Sequence, residues 1–173
     1  ANADRLVSLT QSLIACRSDS QSLHNPEFEG EAERCQDIVA AWLEELDFTV
    51  ERWQQPPRYP VVAACLASSG DGPSLALNGH IDVVPAGDRN SWRHDPWTGD
   101  IADGKLWGRG AADMKGGVAC ALMAAWALRE ARVQLAGNLW LHVDADEEVV
   151  GQSLRELLKR MPSVDAALVA EPT

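Results

Sequence analysis

Three short apolar segments of this sequence each run directly into imidazole or carboxylate side chains. They are the predicted strands Ser74–Asn78, Asn138–Ala145 and Ala166–Ala170. Helical periodicity fills the intervals between them, so Met114–Arg129 and Ser153–Arg160 are predicted helices. Strands that alternate with helices are typical of an α/β sandwich with a mostly parallel sheet. The carboxyl ends of parallel strands lie along one edge of such a sheet, where ligands bind.

The first half of the chain supplies further elements for the same fold. Apolar residues recur at helical spacing over residues 6–14 and 32–46. The remaining predicted strands are Phe48–Trp53, Val61–Leu66 and Lys105–Trp107. Residues 82–104 are rich in Pro, Gly and Asp, and we predict a long loop that Trp92 and Trp97 keep ordered. The whole pattern predicts a three-layer α/β sandwich in which helices flank a mixed, mostly parallel sheet.

Composition restricts the classes of partner. The 173 residues suffice for a hydrophobic core, and the polar start of the chain predicts no signal peptide. The net charge of −11 repels phosphate backbones, and no apolar run approaches bilayer length, so neither nucleic acid nor a membrane is expected as a partner. The cysteines have no C-x-x-C spacing and lie among apolar residues, which predicts reduced core thiols and a cytoplasmic location. They are Cys16, Cys35, Cys65 and Cys120.

The side chains after the three strands form a set that suits a metal ion. His80 and Asp82 follow the first strand, Glu147 and Glu148 the second, and Glu171 the third, while Asp113 precedes the helix that begins at Met114. Zinc accepts imidazole nitrogen and carboxylate oxygen as ligands. One carboxylate can bridge two ions about 3.5–4 Å apart, and Asp113 is well placed to do so.

Spacing suggests tasks for the remaining acids. Residues two apart in an extended segment point the same way, so Asp82 can accept the other ring N–H of a ligating His80. Adjacent acids project differently, so one of Glu147 and Glu148 can bind metal while the other reaches the activated water as general base.

Four segments carry a more specific signal. They are Asn78–Pro85, Gly108–Gly117, Asp144–Glu148 and Ala170–Thr173. These segments resemble the signatures of the co-catalytic zinc peptidase clan that contains acetylornithine deacetylase, succinyl-diaminopimelate desuccinylase, carboxypeptidase G and aminoacylase. The resemblance covers nearly the whole chain, from the first predicted helix to Thr173.

The resemblance implies a role for each residue. His80 and Glu171 would bind one zinc ion, Asp113 would bridge both ions, and Glu148 would bind the second. Glu147 would be the general base and later the proton donor, and Asp82 would orient His80, which makes these two the catalytic pair. The resemblance also implies two Zn²⁺ ions per full-length subunit, or a Co²⁺ ion in place of one, and a cis peptide bond between Asp113 and Met114.

Full-length members of this family are longer than this chain. They insert a lid or dimerisation domain after the Glu-Pro segment and then return to the catalytic sheet. The resemblance therefore implies that residues 4–173 are the N-terminal part of a zinc-dependent catalytic domain from a homodimer. The family's C-terminal His ligand and its lid His would lie outside this chain. The second zinc site would then have only two carboxylates, so we expect little or no hydrolysis by the chain alone.

The predicted activity is hydrolysis of the amide of an N-acyl amino acid by metal-activated water, as in deacetylases and desuccinylases. A dipeptidase or carboxypeptidase with the same residues, acting on a small peptide, is the alternative enzyme. A catalytically incomplete metal-binding fragment is the non-enzymatic alternative. Four other residues receive secondary predictions: a structural His142, a His94 near the rim of the site, and Arg109 and Lys115 that hold local structure.

Overall fold

The structure, a computed structural model, describes residues 2–19, 28–55 and 59–172, so Thr173 of the last signature lies outside the described residues. Helices and strands alternate through these ranges. In chain order they are α1 (Asn2–Ile14), α2 (Glu31–Glu45), β1 (Thr49–Gln55), β2 (Tyr59–Leu66), β3 (Leu75–His80), β4 (Asp100–Ala102), β5 (Lys105–Trp107), α3 (Gly116–Glu130), β6 (Leu139–Asp144), α4 (Gln152–Arg160) and β7 (Ala166–Val169).

Five strands form one mixed sheet, in the order β1-β2-β6-β3-β7. Strand β3 pairs in parallel with β6 and with β7, whereas β2 is antiparallel to both β1 and β6. The predicted α/β sandwich with a mixed sheet is confirmed, although its pairings divide evenly between parallel and antiparallel. The interval between β1 and β2 is too short for a parallel crossover, which needs a dozen or more residues, so these strands form a hairpin.

Helices cover both faces of this sheet. Val62 and Ala64 of β2 belong to the main core, which is completed by apolar residues of α1, α2 and α3. Val61 and Ala63 face the other way and pack with Leu157 of α4. This alternation follows from the two-residue period of a strand, and it produces the three predicted layers.

The end of β3 is held close to the start of α3. Gly79 lies where an added Cβ would be 2.8 Å from Val118 Cγ2 and 3.0 Å from Met114 Cε, so only glycine allows this approach. Residues Ala111–Lys115 form a kinked turn before α3, with non-helical dihedrals at Asp113 and Met114. The peptide bond between these two residues is cis, as predicted. Helix α3 therefore begins at Gly116, two residues later than the periodicity predicts.

The stretch Ala111–Glu130 is long and apolar enough to cross a membrane by length and composition alone. In the fold it is α3 and the turn before it, packed against α1 and β3. A core helix satisfies the same two criteria, so this stretch is weak evidence for a membrane span.

The long loop is ordered, as predicted, but it contains a strand that the sequence analysis missed. Strand β4 pairs with β5 in an antiparallel hairpin. The indole N–H of Trp92 donates to the carbonyl of Ala86 at 2.8 Å, and Trp97 is buried. Asp100–Ala102 has one strongly apolar residue, Ile101, which is exposed, so no alternation marks this strand in the sequence.

The four cysteines are free thiols. Cys16 and Cys35 are buried and Cys65 is partly buried, whereas Cys120 is exposed. The prediction of a core position is therefore wrong for Cys120. The buried side of α3 carries Val118, Ala119 and Leu122, and residue 120 falls on the opposite side of the helix.

Strand β7 forms one edge of the sheet, and all four of its residues are exposed. Leu168 and Val169 each leave about half of their surface accessible. The part of the chain that the structure describes places no further strand beside β7.

Candidate metal centre

His80 is the last residue of β3 and is almost completely buried. Its Nδ1 lies 2.9 Å from the main-chain oxygen of Asp82. Its Nε2 is buried and has no hydrogen-bond partner. Burial lowers the pKa of His80, but the hydrogen bond with Asp82 and its negative charge outweigh burial and raise the pKa to about 9. A buried ring nitrogen without a partner is costly unless something binds it, so Nε2 is a candidate ligand atom.

Carboxylate oxygens surround this unpaired nitrogen. Nε2 of His80 lies 3.3 Å from Asp113 Oδ1, 3.5 Å from Glu171 Oε2 and 3.8 Å from Glu147 Oε2. Ligand atoms bonded at about 2.0–2.2 Å to a tetrahedral zinc ion lie roughly 3.3–3.6 Å from one another. The separations to Asp113 and Glu171 have this size, so the donor set fits a zinc ion in both chemistry and spacing.

Glu148 completes a second group that shares two residues with the first. His80, Asp113 and Glu148 offer ligand atoms that all lie within 4.8 Å of one another. Burial, followed by the negative charge of Asp113, raises the pKa of Glu148. Burial likewise raises the pKa of Glu171, and the charge of Asp113 adds to the increase. Asp113 thus lies beside both Glu148 and Glu171, the position that a bridging carboxylate needs.

Asp82 connects the imidazole to the two glutamates. Its carboxylate accepts the backbone N–H of Glu147 at 3.2 Å and that of Glu148 at 2.9 Å. The same carboxylate lies 3.4 Å from His80 Nδ1, farther than the main-chain oxygen of Asp82. The nearest acceptor for the ring N–H is therefore the backbone, whereas sequence reasoning named the carboxylate. Asp82 fixes the imidazole and both glutamates through one short segment after β3.

Two further acids, which the sequence analysis did not single out, lie behind this cluster. Asp144 and Asp146 are both buried. Burial and the charge of Asp82 raise the pKa of Asp144 to about 7. The carboxylate of Asp146 accepts the backbone N–H groups of Gln152 and Ser153 at the start of α4. The alternation of Asp144 and Asp146 at the end of a buried strand was a signal that could have found them.

The basic residues near the site hold structure. Lys115 is fully buried, and its Nζ donates to the carbonyls of Leu13 and Cys16 at 2.9 and 2.8 Å, which confirms a structural role. The guanidinium of Arg109 lies 3.4 Å from the carbonyl of Pro85 and 5.1 Å from the Trp92 ring centroid. Arg109 thus holds the loop through a carbonyl and an aromatic ring, which confirms the predicted structural role.

The two other predicted histidines are also accounted for by packing. His142 is buried in β6, its ring centroid lies 5.9 Å from that of Trp140, and burial lowers its pKa to about 4. The structural role predicted for His142 is confirmed. The ring of His94 stacks on Trp107 at 5.2 Å and its Nδ1 lies 3.3 Å from Asp100, so it is held by the β4–β5 hairpin.

An α/β sandwich that gathers an imidazole and several carboxylates beyond its parallel strands has the architecture of a metal-dependent hydrolase. The family model described as peptidase family M20/M25/M40 matches residues 76–173, and the chain belongs to this family. One solved member of this family, the YxeP protein of Bacillus subtilis, is described as a dinuclear metal binding peptidase. The sequence resemblance stated above is thereby confirmed at the level of the family.

Curated relatives match almost the whole chain. The chain is 36% identical over 170 residues to N-formyl-4-amino-5-aminomethyl-2-methylpyrimidine deformylase of Bacillus subtilis, covering 97% of the chain and 38% of that protein. It is 40% identical over 174 residues to succinyl-diaminopimelate desuccinylase of Rhodospirillum centenum, covering 96% and 43%. The crystal structure of human carnosine dipeptidase 1 superposes with a TM-score of 0.87 at 30% identity, covering 98% of this chain and 38% of that chain.

These coverages show that the chain spans about two-fifths of the length of its relatives. The shared region includes all the residues of the candidate site, since the match to the family model runs from residue 76 to residue 173.

Proposed function

We propose that this chain belongs to a hydrolase that cleaves the amide bond of an N-acyl amino compound, of the deacetylase and desuccinylase type. The observation that carries the proposal is the unpaired, buried Nε2 of His80 facing the carboxylates of Asp113 and Glu171. Two relatives that match nearly the whole chain are named for the removal of a succinyl and a formyl group. Both names describe an acyl group taken from an amine nitrogen.

The metal in this proposal is zinc, with two ions per subunit or a cobalt ion in place of one. His80 and Glu171 would hold one ion, Asp113 would bridge, and Glu148 would hold the other. The separations around His80 Nε2 support the first group, and the 4.8 Å cluster supports the position of Glu148. A divalent cation bound there supplies Lewis-acid chemistry, which acidifies water and polarises an amide carbonyl.

Glu147 is assigned to proton transfer. Its carboxylate is half exposed and lies 3.8 Å from His80 Nε2, so it reaches both the cluster and the solvent side where a substrate enters. In that position it takes a proton from the attacking water and returns it to the departing amine nitrogen. Asp82 keeps the backbone of Glu147 and Glu148 in place through two N–H bonds.

A dipeptidase is the second candidate, and the similarity to human carnosine dipeptidase 1 favours it. Both reactions hydrolyse an amide and need the same residues. They differ in the group on the carbonyl side of the scissile bond, which is a simple acyl group in one case and an amino acid with a free amine in the other. Parallel assays with N-succinyl, N-acetyl and N-formyl amino acids and with dipeptides therefore separate the two candidates.

For the longer protein we propose that residues 4–173 form the N-terminal part of the catalytic domain of a cytoplasmic homodimer. A small N-acyl amino acid or peptide would be its substrate, and neither nucleic acid nor a membrane would be a partner. The coverage of relatives supports the first statement, and the net charge of −11 opposes binding to phosphate backbones. We also propose that the 173-residue chain alone has little or no hydrolytic activity, which an assay of the purified chain tests.

The central experiment is a metal-removal assay on the longer protein that contains this chain. Treatment with a chelator should abolish hydrolysis of the N-acyl substrate, and added zinc should restore it. Replacing His80 by Asn should remove both the activity and its recovery with zinc. Hydrolysis that persists after complete removal of metal would contradict the proposal.

A further inference from the structure

Asp146 directly precedes the two glutamates of the candidate site and is fully buried. Its carboxylate accepts the backbone N–H of Gln152 at 2.7 Å and of Ser153 at 2.9 Å, and also the hydroxyl of Ser153. These N–H groups belong to the first turn of α4, whose own N-cap residue, Gly151, has no side chain to bond them. Asp146 therefore caps this helix from six residues away.

The main chain of Asp146 also forms hydrogen bonds within the turn that leads to α4. Its carbonyl accepts the N–H groups of Val149, Val150 and Gly151 at 3.3, 3.1 and 2.8 Å. Side chain and main chain together fix the turn 146–151 to the start of α4.

Glu147 and Glu148 are held between two buried carboxylates. Asp82 accepts their backbone N–H groups from one side, at 3.2 and 2.9 Å. On the other side, Asp146 anchors the turn that contains both glutamates to the start of α4. The backbone of the pair has little freedom to move, because each end of its segment is tied to a buried group.

We propose that Asp146 is a positioning residue that orients Glu147 and Glu148 and thereby sets the affinity of the site for a divalent cation. This inference rests on the proposed function, because it needs Glu148 to be a metal ligand. The hydrogen bonds of the Asp146 carboxylate go to the start of α4, so Asp146 acts on the two glutamates through the turn between them and the helix. Groups that orient metal ligands in this way typically contribute about 10–100-fold to metal affinity.

The test is the affinity for the second zinc ion of the longer protein that contains this chain, with Asp146→Asn, measured by titration calorimetry with a competing chelator. An amide group keeps the volume of the carboxylate but turns one acceptor into a donor, so one of the helix N–H bonds is lost. We expect zinc affinity to fall by about 10–100-fold while the circular dichroism spectrum stays that of the parent chain.

Two controls separate positioning from a general loss of stability. Leu157→Ala leaves a cavity under the same helix without touching the turn, and it should keep the zinc affinity of the parent. Asp165→Asn alters an exposed carboxylate that also accepts a backbone N–H and a hydroxyl from one serine, Ser74, and it should have no effect on zinc. An equal loss in Leu157→Ala would overturn the proposal, because helix stability would then be the cause.

A fourth variant, Glu148→Gln, separates the positioning role of Asp146 from the assignment of Glu148 as a metal ligand. If Glu148→Gln weakens zinc binding and Asp146→Asn does not, the positioning role fails and the ligand assignment stands. Parent-like affinity in Glu148→Gln would overturn the ligand assignment and the positioning role together. Should Asp146→Asn not fold, Asp146→Glu keeps both acceptor oxygens but displaces the turn by one methylene group, and unchanged zinc affinity in that variant would overturn the role of Asp146.

Discussion

Single residues decide the chemistry of this site, and His80 is the one on which the others converge. Its Nδ1 is engaged by Asp82, which leaves Nε2 as the only ring atom free to bind. The pKa of about 9 means that both ring nitrogens carry a proton at neutral pH unless a cation competes for Nε2. Metal binding at such a nitrogen releases a proton, so the occupancy of the site is linked to acidity.

Replacing Glu147 by Gln in the longer protein should lower kcat by about 10²–10⁴-fold, because the amide cannot take up or return a proton. The zinc content should remain that of the parent, since Glu147 is not assigned as a ligand. Steady-state kinetics and elemental analysis on the same preparation check both statements. Loss of zinc in parallel with activity would show that Glu147 binds metal and that its role was assigned incorrectly.

The folded chain should become less stable as the pH falls, because burial opposes protonation of His142. Its pKa is about 4 in the fold and near 6.5 when unfolded, so between these values the unfolded chain binds more protons. Its contribution to stability is complete above pH 6.5 and is lost, at up to about 1.4 kcal/mol per pH unit, on the way down to pH 4.

The corresponding measurement is urea unfolding of the parent and of His142→Phe at pH 7.0, 5.5 and 4.5. Phenylalanine keeps a ring beside Trp140 without a titrating group, so the parent should lose more stability than the variant over this range. Identical pH dependence in both proteins would rule out His142 as the source.

At the scale of elements, the contact between β3 and α3 determines where the site forms. It sets His80, at the end of the strand, against the turn that carries Asp113. Gly79 lets the two elements approach closely because it has no side chain. A methyl group at this position would displace Val118 and Met114.

Gly79→Ala should therefore destabilise the chain by about 1–3 kcal/mol, as overpacking of a core usually does. Combining it with Val118→Ala, which removes the side chain that a new Cβ would meet at 2.8 Å, should recover part of that loss. Urea unfolding of the two single variants and the double variant supplies the comparison. Strictly additive free energies of unfolding would contradict the clash.

The positions of helices and strands were largely predictable from the sequence, whereas strand pairings and some hydrogen-bond partners were not. Apolar periodicity locates helices α1 to α4, but the hairpin of β1 and β2 depends on which strands become neighbours, which local periodicity does not record. Strand β4 has no apolar alternation to reveal it. The convergence of the candidate site residues could be predicted because they follow the ends of neighbouring strands or precede α3. The bonds of Asp146 could not be predicted, since they go to a helix start whose position depends on the turn between.

For the whole molecule, zinc should act as a stabilising ligand. A cation that binds only the folded chain raises the free energy of unfolding, by about 2.7 kcal/mol at a concentration 100 times the Kd. Thermal unfolding of the chain with and without zinc should show a higher Tm with zinc, and a chelator should reverse it. The variant His80→Asn should lose this increase, and an unchanged increase would place the zinc elsewhere on the acidic surface.

Strand β7 is an exposed edge of the sheet in the part of the chain that the structure describes. Its outer backbone groups and its half-exposed Leu168 and Val169 offer an extended polypeptide a ready-made template, as unprotected sheet edges do. The segment that leads to Glu171 is thus also an exposed sheet edge to which another strand can pair. A strand that pairs with β7, from another part of the same protein or from a second copy in a concentrated sample, would contact the strand that leads directly to Glu171.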